Sequence, residues 1–174
     1  MAEKLSDFML DDPIFVDANI FDYHHANHPR FGRDCTDFLK KIENALVQGV
    51  TSNIVQQEGM YYLQMHKGEL LLGTSDRSRI HAQIVSDATF AQACWQAAEE
   101  FLNLLDALRG TTLTLFEVDS SHARQIVELG KRYQLILRDA AHVLVCKVMN
   151  LSHIASNDAD FDRVDFLTRW KPGI

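Results

Sequence analysis

The sequence contains few cysteines, and their number and spacing exclude two common architectures. Cys35, Cys94 and Cys146 are the only three among 174 residues. Because their number is odd and they lie far apart, they predict neither a disulfide framework nor a zinc knuckle. We therefore expect three small, buried hydrophobic side chains in a protein of the reducing cytoplasm.

Long apolar runs and an excess of positive charge are also missing. No run of about 18 or more apolar residues occurs, which predicts no membrane-spanning helix, and the first segment lacks the apolar stretch of a signal peptide. The net charge is −7, whereas nucleic-acid-binding proteins usually carry a basic face. Two divalent cations in an acidic site would carry +4 and leave −3. Basic residues that would then have to cluster locally are Arg30, Arg33, Lys40, Lys41, Arg138 and Arg163.

The length and the apolar content fit one domain with a sizeable core. The chain has 174 residues, of which 47% are hydrophobic, and it shows neither an internal repeat nor a low-complexity linker. We predict a single domain over residues 1–174. Within it, residues 1–12 are expected to form a short tail or a frayed helix, and residues 68–110 a mostly helical excursion.

A short apolar segment that ends in a carboxylate organises the chain. Residues 14–16 are a continuous apolar run, which predicts a buried strand of a parallel sheet, and Asp17 follows at once. Open α/β sheets bind ligands beside the carboxyl ends of their strands. Asp17 is therefore a candidate member of a carboxylate cluster that binds a divalent metal for nucleic-acid hydrolysis. The alternative is that Asp17 only ends a strand and begins a turn.

Strand and helix patterns alternate along the rest of the chain, which predicts a parallel α/β fold. Residues 23–32, with three histidines, are expected to form a solvated loop. An apolar stripe between Phe90 and Leu108 is expected to face the core, or alternatively a dimer interface that includes Trp95. Helices are predicted over residues 34–48 and 53–67 and from residue 138, and strands over residues 50–52, 111–118, 151–156 and 164–170.

Three further acids occupy positions that need an explanation. Glu58 interrupts an apolar helical stripe, where a carboxylate is costly unless it is paired, binds a cation or reaches water at the edge of the stripe. Asp139 opens an almost wholly apolar helix, where it can also simply interact with the helix dipole. Like Asp17, Asp158 follows a predicted strand with almost no linker. His142 is expected to be a satisfied packing histidine rather than a ligand.

These acids can converge on one edge of the predicted sheet. In a doubly wound parallel sheet, strand ends and helix starts lie along the same edge. Several carboxylates in contact cannot all remain ionised without a cation. Hard divalent ions with oxygen ligands meet that need, and Mg²⁺ retains water molecules for chemistry.

Four segments together resemble a known family. VDANIF at residues 16–21, Glu58 in the second predicted helix, RDAAHVLV at residues 138–145 and IASNDADF at residues 154–161 resemble the PIN-domain ribonucleases, and most of all the VapC toxins of bacterial toxin–antitoxin pairs. The resemblance extends from Ile14 to about Pro172, and IASNDADF is its most specific part. It implies a parallel sheet of four to five strands in the order 3-2-1-4-5, with helices on both faces.

The resemblance also implies a metal site. One or two Mg²⁺ or Mn²⁺ ions would be held by Asp17, Glu58, Asp139 and Asp158, while Asp160 would contribute through water. Asn19 and Ser156 would orient the carboxylates. Three features depart from the family pattern: a serine at Ser156, where threonine is more frequent, Arg138 directly before Asp139, and the long excursion over residues 68–110.

The implied activity is hydrolysis of RNA phosphodiester bonds by a metal-activated water. The substrate would be single-stranded or looped RNA, such as tRNA or ribosomal RNA. The partners would be an antitoxin that covers the acidic crevice and a second copy of the chain. The alternatives are a non-toxin RNA-processing nuclease and a catalytically silent nucleic-acid-binding module. A phosphatase of the haloacid-dehalogenase type fits less well, because its second aspartate would stand at Asn19.

Overall fold

The structure, a computed structural model, describes residues 2–9 and 11–173. Its centre is a six-stranded sheet whose recorded strand pairs are all parallel. The order of the strands across the sheet is β1-β6-β5-β2-β3-β4. The strands are β1 (Glu3–Lys4), β2 (Ile14–Val16), β3 (Gly49–Ser52), β4 (Leu113–Phe116), β5 (His153–Ala155) and β6 (Thr168–Lys171).

Helices fill the connections between these strands. The right-handed rule for parallel crossovers places α1 to α5 on one face of the sheet and α6 and α7 on the other, because the strand order reverses at β2. The helices are α1 (Ala18–His25), α2 (Gly32–Glu43), α3 (Asn53–Leu72), α4 (Arg77–Ser86), α5 (Ala88–Arg109), α6 (Ala123–Tyr133) and α7 (Leu137–Val148). Short 3-10 turns lie at Leu5–Asp7, Ser120–His122 and Ala159–Arg163.

The predicted strand order is confirmed, with one strand added. Strands β4, β3, β2, β5 and β6 lie side by side in that order, which is the expected 3-2-1-4-5 arrangement. The sixth strand comes from the segment predicted as a tail or frayed helix, which was wrong. Strand β1 pairs with β6, and Leu5 and Phe8 are fully buried. These two apolar side chains anchor the segment, since the Phe8 ring lies 4.9 Å from that of Trp170.

Three helices differ from the prediction. Helix α2 ends at Glu43, five residues before the predicted end at residue 48. Part of the predicted histidine loop belongs to α1, which ends at His25. Ile20 and Phe21 are buried in the core and hold this helix against it. Helix α3 continues to Leu72, five residues beyond the prediction, and ends at Gly73 with a φ of 63°. Gly68 therefore lies inside α3, where a Cβ atom would stand only 2.4 Å from the Ile80 side chain. Its small size allows α4 to pack closely on α3.

The core follows the predicted apolar stripes. In α5, the stripe side chains Cys94, Phe101 and Leu108 are buried, whereas Trp95 is exposed. All three cysteines are free and buried, as expected. Across residues 2–9 and 11–173, the helices lack the combined length and apolar character that crossing a bilayer would require. That the whole chain forms one domain stays a prediction, and Met1, Leu10 and Ile174 lie outside the described residues.

The parallel register brings the ends of β2 and β5 together. Val16 pairs with Ala155, so the next residues along the two strands, Asp17 and Ser156, meet at the carboxyl edge of the sheet. Strand β2 is also where the strand order reverses. Ligands of open α/β sheets bind at this position.

Candidate functional site

Asp17 is held rigidly at the end of β2. It is the N-cap of α1, and its Oδ1 accepts a hydrogen bond of 2.7 Å from the Ala18 amide. Its Oδ2 accepts hydrogen bonds from Ser156 Oγ, at 2.5 Å, and from the Asn19 side-chain amide. The side chain is buried, with the residue only 6% exposed. The carboxylate therefore has one defined orientation toward the edge of the sheet.

Asn19 and Ser156 connect the two strand ends. Asn19 Nδ2 donates to Ser156 Oγ at 3.1 Å, and Asn19 Oδ1 accepts from the Asn157 amide at 3.1 Å. Ser156 Oγ also accepts from the Asp158 amide at 3.0 Å. The two polar side chains predicted to orient carboxylates thus contact Asp17 directly and fix the backbone that carries Asp158.

Glu58 and His142 complete a first group with Asp17. His142 Nε2 lies 3.1 Å from Glu58 Oε2 and 3.7 Å from Asp17 Oδ1. Ligand atoms of these three residues all lie within 4.8 Å of one another. The His142 ring packs beside Phe15, as expected of a packing histidine. Its contact with two carboxylates makes the prediction of packing alone incomplete.

Asp139, Asp158 and Asp160 form a second group, again with ligand atoms within 4.8 Å of one another. Asp139 lies in the first turn of α7 and is buried, whereas Asp158 is exposed. Asp160 forms an ion pair with Arg163, and its amide donates to Asp158 Oδ1 at 2.8 Å.

One cleft of about 310 Å³ unites most of these groups. Asp17, Glu58, Asp139 and Asp158 all line it, so the structure brings the four predicted acids together. Asp160 is outside its lining. The cleft also contains Asp22, which the sequence analysis did not single out.

The cleft concentrates negative charge away from water. Burial, together with the charge of Glu58, raises the pKa of Asp17 despite the nearby imidazole of His142. Burial and the neighbouring Asp158 carboxylate raise the pKa of Asp139 to about 6. Burial and the charges of Asp17 and Glu58 raise the pKa of Asp22 to about 8. Without a cation, the cluster therefore takes up protons at neutral pH.

The pKa of His142 shifts in the direction opposite to the one that burial alone would produce. Burial alone lowers the pKa of an imidazole, but the hydrogen bond to Glu58 and the charge of Asp17 outweigh it and raise the pKa of His142. The imidazolium form offsets part of the carboxylate charge.

Several atoms of the cleft fit a bound divalent cation. Among the described residues, Asp22 Oδ1 and Asp139 Oδ2 are buried and have no hydrogen-bond partner. Buried polar atoms without a partner are costly and therefore rare. Carboxylate oxygens form a donor set that suits Mg²⁺ or Mn²⁺. The residues present therefore fit the metal that the sequence predicts.

The basic residues named from the sequence do not gather at this cleft. Of the six candidates, Arg138 lines it, and its Nη1 lies 3.1 Å from Glu58 Oε1. Arg33 instead pairs with Asp37, and Lys41 Nζ donates to the Ser6 and Phe8 carbonyl groups. The histidine segment also lies elsewhere, and His28 Nδ1 accepts from the Arg30 amide.

Sequence reasoning missed Asp22 and assigned His142 to packing alone, although both carried a usable signal. Asp22 directly follows the apolar pair Ile20 and Phe21, and His142 follows Asp139 by three residues, one turn along an apolar helix. A polar side chain on a buried face indicates a specific partner. Arg77, which also lines the cleft, carried no such signal.

Comparison with known proteins identifies the family. The family model for the PIN domain matches residues 14–167. The chain belongs to the PIN-domain family. It is 25% identical over 160 residues to Ribonuclease VapC2 of Methanocaldococcus jannaschii, an alignment that covers 91% of this chain and 93% of that protein. The prediction of a PIN domain that resembles VapC is confirmed.

Two solved structures of Vap proteins show the same fold. VapBC2 from Rickettsia felis, bound to a DNA fragment from its promoter, superposes with a TM-score of 0.53 at 15% identity, covering 92% of this chain and 98% of that one. VapC20 of Mycobacterium tuberculosis, a toxin that cleaves the sarcin–ricin loop, gives a TM-score of 0.53 at 18% identity, covering 88% and 96%. At these identities the likeness concerns the fold.

Proposed function

We propose that this PIN-domain protein is a divalent-metal-dependent endoribonuclease of the VapC type. The observation that carries the proposal is the convergence of Asp17, Glu58, Asp139 and Asp158 on one cleft. The relative of matching length that is named Ribonuclease VapC2 supports the choice of RNA as substrate.

The four acids would hold one or two Mg²⁺ or Mn²⁺ ions. Asp160, paired with Arg163 and outside the lining of the cleft, would act only through a bridging water. A bound divalent ion supplies a water of lowered pKa and positive charge opposite the phosphate.

The protein's own residues set the geometry of the reaction. Ser156 and Asn19 orient Asp17, and His142 holds Glu58 by a hydrogen bond of 3.1 Å. Among the described residues, Asp139 Oδ2 is buried and has no hydrogen-bond partner. This oxygen would therefore be free to bind the ion, whose charge would favour the ionised carboxylate.

The proposed substrate is a single-stranded or looped segment of a structured cellular RNA, such as tRNA or ribosomal RNA, in the cytoplasm. An unpaired strand can enter a narrow cleft with its bases splayed, whereas a duplex cannot.

The proposed protein partner is an antitoxin that covers the cleft. An apolar groove, lined by Ile54, Ile126, Leu137 and Ala141, adjoins the cleft and shares Glu58, Tyr61 and Arg138 with it. Leu137 at its edge is 73% exposed. A second copy of this chain is a further proposed partner, for which the exposed Trp95 on α5 offers an apolar contact.

The test is cleavage of a tRNA pool by purified protein with Mn²⁺, with Mg²⁺ and with excess chelator. We expect metal-dependent cleavage by the wild type and at least a hundredfold loss in Asp17→Asn. The matched control is Asp106→Asn, which removes an exposed carboxylate on α5. Equal cleavage by wild type and Asp17→Asn would contradict the proposal and indicate a contaminating nuclease.

A toxin and a housekeeping nuclease would share this chemistry. Induced expression in a bacterial host separates them. A toxin stops growth unless the antitoxin gene is expressed with it, whereas an RNA-processing nuclease leaves growth unchanged.

A further inference from the structure

Two aromatic rings and one arginine extend the cleft beyond its acids. Tyr61 and Tyr62 of α3 and Arg77 of α4 line the same cleft as Asp17 and Glu58. The guanidinium carbon of Arg77 lies 5.8 Å from the centre of the Tyr61 ring. This is the distance of a cation–π contact.

The local sequence explains why these groups meet at the acids. Tyr61 and Tyr62 follow Glu58 by three and four residues, so they lie one helical turn along the same side of α3. Helix α3 then ends at Gly73 in the left-handed conformation, and Asp76 caps α4. The first residue of α4 is Arg77, which thereby reaches the Tyr61 ring.

Apart from their contact with each other, Tyr61 and Arg77 are largely open to solvent. Tyr61 is 50% exposed, so about half of its surface is accessible to a ligand. Arg77 is exposed, and within residues 2–9 and 11–173 it has neither an ion pair nor a side-chain hydrogen bond. The other arginine of the cleft, Arg138, is paired with Glu58. Arg77 is therefore the arginine of the cleft that is available to an anion.

The second ring is fixed by a neighbour. Tyr62 stacks on His66 with ring centres 5.8 Å apart and planes 9° from parallel. A rigid aromatic wall beside an exposed ring and an unpaired guanidinium is the combination by which proteins bind single-stranded nucleic acid. Because the Arg77 guanidinium lies over one face of the Tyr61 ring, the ring offers its opposite face to a base. The guanidinium offers paired donors to a phosphate.

We propose that Tyr61 and Arg77 form a nucleotide subsite, in which an unpaired base of the RNA stacks on Tyr61 and the adjacent phosphate pairs with Arg77. This inference rests on the proposed function and deepens it. It assigns a role to the long excursion over residues 68–110, which supplies Arg77. The subsite admits only a base that has left its stack, because the ring face lies within the cleft.

Binding of RNA, measured separately from cleavage, tests the subsite. A short fluorescent oligouridylate is titrated with protein in Ca²⁺, and a gel confirms that the RNA stays intact. We expect Tyr61→Leu to weaken binding about tenfold, because a stacked base contributes strongly to affinity. Tyr61→Phe, the matched control, keeps the ring and should stay within about twofold of wild type.

The dependence of RNA binding on salt concentration tests the role of Arg77. Arg77→Gln should weaken binding and reduce the slope of log Kd against log salt by about 0.7, the value for one phosphate contact on a single strand. Arg77→Lys should keep the slope. An unchanged slope in Arg77→Gln would overturn the phosphate contact.

Abasic nucleotides identify the stacked base. Removing the base at one position should weaken binding to the wild type and have no further effect on Tyr61→Leu. Equal binding by wild type and Tyr61→Leu, equal losses in Tyr61→Leu and Tyr61→Phe, or absence of binding by the wild type would each overturn the subsite. Binding with this pattern but without cleavage in Mn²⁺ would refute the nuclease proposal and leave the subsite standing.

Discussion

His142 and Glu58 are joined across the cleft by a hydrogen bond of 3.1 Å between Nε2 and Oε2. The bond connects helix α7 to helix α3, which approach the carboxyl edge of the sheet from opposite faces. It also places a titratable ring between the carboxylates of Glu58 and Asp17, since Nε2 lies 3.7 Å from Asp17 Oδ1.

The His142→Gln variant should lose stability in a pH-dependent way when metal is absent. The carboxylates raise the pKa of His142 in the folded protein above its ordinary value. The stabilisation that His142 gives is therefore complete below the pKa of the unfolded chain and disappears as the pH rises through the pKa of the folded protein. We expect a loss of about 1–3 kcal/mol in the free energy of unfolding at pH 5.5 and a smaller loss at pH 9. Urea denaturation in chelator measures both, and an equal loss at the two pH values would contradict the charge effect.

Asp139→Asn should stabilise the metal-free protein at neutral pH. Asp139 has a pKa raised to about 6 by burial and by the Asp158 carboxylate, with His142 opposing them and Asp17 adding to them. Between the ordinary pKa of an aspartate and this raised value, the folded protein keeps a proton on Asp139 that the unfolded chain has already released. The free energy of unfolding therefore falls as the pH rises from about 4 to 6.

Replacing the Asp139 carboxyl group with an amide removes this loss of stability. We place the gain in the free energy of unfolding at about 1–2 kcal/mol at pH 7.5. Asp106→Asn, at an exposed position on α5, serves as the control. Thermal denaturation in chelator should show a higher melting temperature for Asp139→Asn alone. A lower melting temperature would mean that favourable contacts of the Asp139 carboxyl group outweigh the cost of its burial.

Ser156→Ala should reduce cleavage while the fold survives. The hydroxyl group donates to Asp17 Oδ2 at 2.5 Å, and a hydrogen bond to a charged group contributes about 1.5–3 kcal/mol. If this orientation matters mainly in the reaction, kcat should fall about tenfold to a hundredfold. Ser156→Thr restores the hydroxyl group and should recover most of kcat, and failure of threonine to do so would argue against a hydrogen-bond role.

Gly59→Ala should destabilise the contact between α3 and α5. A Cβ atom at Gly59 would lie 2.3 Å from the Phe101 ring, which is fully buried and packs on Phe21. Overpacking of this kind costs about 1–3 kcal/mol, against a gain of about 1 kcal/mol from the better helix propensity of alanine. Equilibrium unfolding should show a net loss, whereas Gly73→Ala, at a position with open space, tests only the cost of the left-handed backbone.

The carboxylate cluster could be predicted from local signals, whereas the strand order followed from the family resemblance. One apolar run is followed directly by Asp17 and another, two residues later, by Asp158. These runs specify strand ends, and parallel strands place their carboxyl ends together. Glu58 and Asp139 were recognisable as acids on apolar helical faces. The structure places all four in one cleft.

Neither the edge strand β1 nor the position of Arg77 in the cleft could be predicted, because both depend on tertiary contacts. Strand β1 has only two residues. It is held in place because the side chains of Leu5 and Phe8, which follow it, are buried in the core. Arg77 reaches the cleft only because Gly68 admits α4 and Gly73 reverses the chain. His142 was visible as a polar residue on an apolar helix, but its two carboxylate partners come from β2 and α3.

The most direct test of the account is calorimetric titration of Mn²⁺ into the wild type, Asp17→Asn and Asp106→Asn at the same pH. We expect the wild type and Asp106→Asn to bind Mn²⁺ with the same affinity and Asp17→Asn to lose the binding or weaken it at least tenfold. We also expect proton release on binding at pH 7, because the pKa of Asp22 is raised to about 8 in the cation-free cleft. Equal Mn²⁺ binding by all three proteins would contradict the central claim that these carboxylates form a metal site.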